Sequence, residues 1–124
     1  MSTPLSTSVI ADAATELEQA LQTLDGFGVY RDPGATLSLP ALVIGPPSLL
    51  WETGCLGPTS ARFLVYVVVD ADERAIERLW AYVPAVAETI DDLTRAAVVR
   101  ADPAVYVSGG VSLPCYELQT EATL

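Results

Sequence analysis

The densest group of ionisable side chains is Asp70, Asp72 and Glu73, with Ala71 between them, where a valine-rich run ends. Carboxylates so placed could ligate a divalent cation or activate a nucleophile. They also fit the start of a helix. Asp70 or Asp72 can cap its free N–H groups, carboxylates favour its positive end, and Glu73 follows Asp70 at capping-box spacing. No further carboxylate group is placed to complete a metal shell, so capping outweighs metal binding. Arg74 and Arg78 lie four apart on one helical face and can pair with Asp70, with Glu77 or with an acidic neighbour. Surface pairs of that kind contribute at most about 1 kcal/mol. Asp91 and Asp92 read as a solvated helix face.

The remaining chemical candidates are thinner. Cys55 and Cys115 are sixty positions apart, outside any Cys-x-x-Cys pair, and read as two buried small hydrophobes rather than a disulfide or a metal site. Ser108-Gly109-Gly110 lacks the pattern of a phosphate loop, and no lysine exists to complete one. Trp51, Trp80 and Tyr82 suggest a stacking platform for bases, but basic residues are missing around them, and Trp80 reads as core. With no histidine and no lysine, His-based acid–base catalysis, a Ser-His-Asp triad, His-ligated zinc and a lysine Schiff base are all excluded. These residues support no enzyme and imply no cofactor. A small ligand-binding domain or metal-dependent enzyme using Asp70 and Asp72 is the alternative of a different class.

The elements that would position these residues follow from periodicity. Residues 8–24 carry Ile10, Ala13, Ala14, Leu17, Leu21 and Leu24 at helical spacing, with Thr7 or Ser8 as cap and Gly26 as stop. Residues 28–31 form a short strand before an Asp32-Pro33-Gly34 turn. Residues 41–44 form an apolar strand halted by Pro46-Pro47, which places it at an edge or breaks it there; 48–52 resume extended. Residues 53–60 are a Gly/Pro loop at the tip of a long hairpin. The strand 62–70 does not alternate: Phe63, Val65, Val67 and Val69 point one way, Leu64, Tyr66 and Val68 the other. Two apolar faces need two covers, the helices on one and a neighbouring subunit on the other. Residues 73–94 form a second helix with the stripe Ile76, Leu79, Trp80, Val83, Ala87 and Ile90, kinked or broken at Pro84. Residues 96–100 and 104–107 read as two extended pieces around Asp102-Pro103, and 113–124 as a last strand. The order α-β-β-β-α-β-β describes an α+β domain, a small mostly antiparallel sheet with two helices on one face. Residues 1–7 read as a flexible N-terminus and 8–124 as one domain.

Composition sharpens the functional classes. The chain has 124 residues, 16 acidic against 6 basic, all arginine, for a net charge of −10. A basic footprint for nucleic acid is absent. Hydrophobic residues make up 51% and mean hydropathy is +0.38, an apolar excess that leaves surface for a partner. Alanine accounts for part of the excess, being apolar yet neutral on surfaces. Residues 1–9 lack the charge and apolar core of a signal peptide, and the run 63–69 is far below the ~18 residues of a membrane span.

The order of features resembles a family. Ala41-Leu42-Val43-Ile44-Gly45-Pro46-Pro47-Ser48-Leu49-Leu50-Trp51 is followed by a Gly/Pro loop and the valine-rich strand to Asp70. Then come Leu79-Trp80-Ala81-Tyr82-Val83-Pro84-Ala85-Val86, the Ala101-Asp102-Pro103 turn, Gly109-Gly110 and Leu113-Pro114-Cys115-Tyr116. From about residue 8 onward this looks like the tail terminator (tail completion) proteins of siphovirus-type long-tailed phages, of the kind found in phages of high-GC bacteria. The resemblance implies a small α+β subunit that forms a ring, usually a hexamer, on the head-proximal end of the tail tube. The ring stops tube polymerisation and joins the neck and head-completion proteins, and DNA passes through its lumen without specific binding. It implies a virion protein of the tail and neck, assembled in the host cytoplasm. Other neck components, such as head-closure or head–tail connector proteins, and tail tube proteins are close alternatives.

Residues placed by this reading at contacts with other subunits or the tube are Trp51, Cys55, Leu56, Arg62, Leu64, Tyr66, Val68, Arg74, Arg78, Glu117, Gln119 and Glu121. The loop 53–60 and the segment 32–39 are the expected contact elements, and the terminal strand 117–124 is expected to offer contact or strand addition. Six copies would carry about −60 in formal charge, six times the −10 of one chain. Facing a lumen, that charge would keep DNA from sticking.

Overall fold

A computed structural model describes residues 8–31, 34 and 37–124; the expected flexible N-terminus, 1–7, and most of the turn at 32–34 lie outside the described residues. Two helices and a six-stranded mixed sheet make an α+β fold. Helix α1, Val9–Leu21, starts where Ser8 Oγ accepts from Ala11 N at 3.2 Å and buries Ala14, Leu17 and Leu21. It stops three residues before the expected Leu24. Thr23 N and Leu24 N reach back only three residues, to Ala20 O and Leu21 O, so the last turn tightens before Gly26 at φ +85°.

Strand β1, Gly28–Tyr30, pairs in parallel with β2, Ala41–Ile44. A side chain at Gly28 would lie 2.8 Å from the Tyr30 ring, so glycine there lets the ring fold across and its hydroxyl accept from Ser38 N at 2.9 Å. Pro46 and Pro47 break the chain between β2 and β3, Ser48–Leu50, and both pair antiparallel with β4, Ser60–Val68. The prolines therefore mark a break, and β2 itself is an inner strand. The loop before Ser60 joins β3 and β4 as a hairpin tip, as its glycines and proline predict.

Helix α2, Ala75–Asp91, runs unbroken through Pro84, although the missing N–H leaves the Trp80 carbonyl without its helical donor. Of the kink or break expected at Pro84, the break with its second half-helix does not form. Strand β5, Ala96–Ser108, and β6, Val111–Thr123, make one long hairpin, closed by Gly109 and Gly110, both at positive φ. The two extended pieces expected around Pro103 are a single strand. In the order β1-β2-β4-β6-β5, β5 is an edge, and the alternation of the ladder turns Pro103's nitrogen outward, where no donor is needed. A bulge at Val99 re-phases the strand, and Asp91 Oδ1 accepts the Val98 N–H beside it at 2.9 Å. Asp91, read as solvated surface, thus has a backbone partner.

The β4 pattern carries through. Phe63, Val65, Val67 and Val69 join Leu17, Leu79, Val86, Ile90 and Leu118 in a core between the sheet and both helices. On the opposite face Val43, Val68, Tyr106, Leu113 and Cys115 form a second, smaller cluster, against which Leu37, Leu39 and Tyr66 pack.

Candidate functional site

The register brings seven of the twelve candidate residues onto one surface. Along β4, Arg62, Leu64, Tyr66 and Val68 turn away from the helices, and their partners on β6 are Glu121, Gln119, Glu117 and Cys115. Arg62 Nη2 reaches Glu121 Oε2 at 3.3 Å with both side chains about two-fifths exposed, a cross-strand pair of small worth. On β5, Arg100 Nε donates to Asp102 Oδ2 at 2.7 Å, and that carboxylate holds the guanidinium further up from its ordinary range. Toward the hairpin the face closes. Burial, then the charges of Glu117 and Cys115, push the Tyr66 hydroxyl up, and its ring meets Tyr106 at 5.5 Å. Burial, seconded by Glu117, pushes the Cys115 thiol up to about 11.

One expectation about this face is corrected. Val68 is fully buried by its own chain, so no neighbouring subunit is needed over that half. Leu64 and Tyr66 stay half-buried, and the strip of Arg62, Leu64, Gln119 and Glu121 is the part left partly open. Strand addition at 117–124 is also corrected, because β6 is paired with β4 on one side and β5 on the other. Among the described residues the long unpaired strand edge belongs to β5.

Trp51, Cys55 and Leu56 stand apart from that face, in the exposed turn after β3. Trp51 is 55% exposed and Leu56 106%. Cys55 is a free, exposed thiol, which corrects the expectation of two buried cysteines; Cys115 alone is buried. Of the segment 32–39, Leu37 and Leu39 pack on the second cluster, while residues 32, 33, 35 and 36 lie outside the described residues.

Asp70, Asp72, Arg74 and Arg78 are assembled at the start of α2. Asp72 Oδ1 accepts from Arg74 N at 2.9 Å and its Oδ2 from Arg78 Nη2 at 2.6 Å, while Arg78 Nη2 also donates to Asp70 O at 3.2 Å. The helix begins at Arg74 with no side-chain cap, so neither aspartate is the cap; Asp72 closes an Asx turn just before it. Both Asp72 oxygens are engaged by donors. Among the described residues no three His, Cys, Asp or Glu side chains gather as a metal would require.

A surface missed by the sequence reading lies at the hairpin end of the helical face. Trp80, expected in the core, is 62% exposed, and its Nε1 donates to Tyr116 Oη at 3.0 Å. Beyond Tyr116 and its partner Pro103, Val105 and Val107 on β5 are 66% and 64% exposed, and Ile76 on α2 is about half exposed. One signal was available. Residues 103–116 carry no charged side chain in a chain of −10, unusual for a hairpin tip in water. No protein-family model matches the chain, and no curated protein matches it either.

Proposed function

We propose that this chain is a structural virion protein, a tail terminator whose copies form a hexameric ring on the head-proximal end of a phage tail tube. The ring ends tube polymerisation and offers the neck and head-completion proteins their seat, with DNA passing through its lumen. The family part of the reading rests on the ordered segments from Ala41 to Tyr116. The geometric observation that supports an assembly role is the distribution of exposed apolar side chains. Leu50, Trp51 and Leu56 stand at the end of the sheet where β4 begins; Ile76, Trp80, Val105 and Val107 stand at the end where it finishes. Bare apolar surface at both ends suits a subunit held between neighbours along the strand direction. In such a ring Asp72 is a structural residue, fixing the start of α2 through Arg78.

Electron microscopy of particles from a phage lacking this gene tests the proposal. Abnormally long, headless tails are expected. Tails of normal length joined to heads overturn it, and heads that leak DNA reassign the protein to head closure.

A further inference from the structure

The outer edge of β5 and the apolar surface beside it have no partner within the described residues, although five of the six arginines are paired with carboxylates. The hydrogen bond from Thr123 N to Arg95 O sets the phase of the hairpin ladder, and the two-residue turn between Ser108 and Val111 agrees with it. Past the bulge, residues 102, 104, 106 and 108 aim their backbone groups at β6, and 103, 105 and 107 aim theirs outward. The free edge therefore offers the N–H and C=O of Val105 and Val107, with Pro103 as the one position lacking a donor. Uncharged, and with β-branched valines at its two outward positions, this edge is a template for another strand.

We infer that two copies of this chain pair through this edge, β5 against β5 about a two-fold axis at Tyr106. In that register Val105 of each copy exchanges both backbone hydrogen bonds with Val107 of the other. Pro103 falls opposite Gly109, past the last full pair, so its missing donor costs the ladder little. The side chains of Val105 and Val107 meet their counterparts on the helical face, and Trp80 and Ile76 extend the apolar strip.

Two considerations select a second copy as the occupant. The first is charge. Two chains of −10 repel over most of their surface, and the hairpin 103–116 brings no charged side chain of its own to the contact. A nucleic acid or a basic peptide gains nothing from an uncharged edge. The second is area. Ile76, Trp80, Val105 and Val107 expose on the order of 400 Å² per copy, and with the paired backbone a dimer buries about 1,000 Å² in total, the lower bound for a specific interface. The pair is accordingly weak, with a Kd on the order of micromolar to tens of micromolar. It is a state of the free protein and does not depend on the tail reading.

Sedimentation of the purified full chain at concentrations spanning that range, with cysteine 55 removed by Cys55→Ser, is the first test. A reversible monomer–dimer equilibrium is expected, and Val105→Asp raises its Kd by about 100-fold or more while the circular dichroism melt stays cooperative. Mixing Val105→Cys chains with Val107→Cys chains under mild oxidation yields the crosslinked heterodimer well above either homodimer. A wild-type chain that stays monomeric throughout overturns the inference. So does an oligomer that survives Val105→Asp, which moves the contact elsewhere; the ring reading is decided separately, by the lengths of the mutant tails. Preferential self-crosslinking of either cysteine variant overturns the register.

Discussion

At the scale of single residues, Thr120 is the most exposed to a decisive test. It is fully buried on β6, in a core that is otherwise hydrocarbon, and its Oγ1 has no hydrogen-bond partner among the described residues. A buried, unpaired hydroxyl costs about 1–3 kcal/mol, and valine has the same shape without the cost. Thr120→Val is expected to stabilise the fold by about 1 kcal/mol, read as a rise of several degrees in Tm; a fall would show that the hydroxyl is satisfied. The two thiols form a second contrast. Cys55 is expected to react at once with a thiol reagent at neutral pH, and Cys115 only when the chain unfolds. The Cys115 pKa, near 11 in the fold against 9.0 for a free thiol, and the raised Tyr66 share one sign. The unfolded chain loses these protons first, so stability is intact below pH 9 and falls as pH rises toward 11. Denaturant melts across that range check the slope, which Cys115→Ala should reduce.

Among the elements, α2 shows most clearly what a sequence pattern can and cannot say. The apolar stripe locates the helix, but two of its residues lie beyond the face that the sheet covers. Each residue turns the helix by about 100°, so the line Leu79, Val86 and Ile90 faces the sheet while Ile76 and Trp80 fall on its flank. Periodicity gives direction, and only the width of the partner decides how much of the stripe is covered. The strand β4 was legible for the opposite reason, since every second residue must share a face whatever lies on it. What hid the interface was pairing order. Nothing local in 111–123 says that this segment lies inside the sheet and that 96–108 takes the edge. The same long-range fact explains why Pro103 is tolerated. Pro84 sits in α2 at the cost of one hydrogen bond, and Pro84→Ala is expected to raise stability by about 1–3 kcal/mol in thermal melts. No gain would mean that the freed Trp80 carbonyl is already satisfied.

For the whole molecule the governing quantity is −10 spread over a body with two apolar ends. Exposed charges repel over about 10 Å at 0.1 M salt, so association of copies should strengthen as salt is added. Raising sodium chloride from about 20 to about 300 mM is expected to lower the Kd for self-association several-fold by sedimentation. An interface built on Arg–Glu pairs would respond the other way. The pairs seen here, such as Arg95–Glu16 at 2.8 Å with both side chains about half exposed, lie within one copy and are worth little to its stability.

The place of β6 between β4 and β5 has a consequence for synthesis. A ribosome makes β5 before the strand it pairs with exists, and it makes β4 with one whole flank bare. Until residues 111–123 have left the exit tunnel, the nascent chain holds valine-rich strands with nothing to close them, and helix α2 has only part of a sheet to lie on. Folding therefore waits on β6, and a chain arrested before β6 emerges should be as open to protease as one with no fold at all.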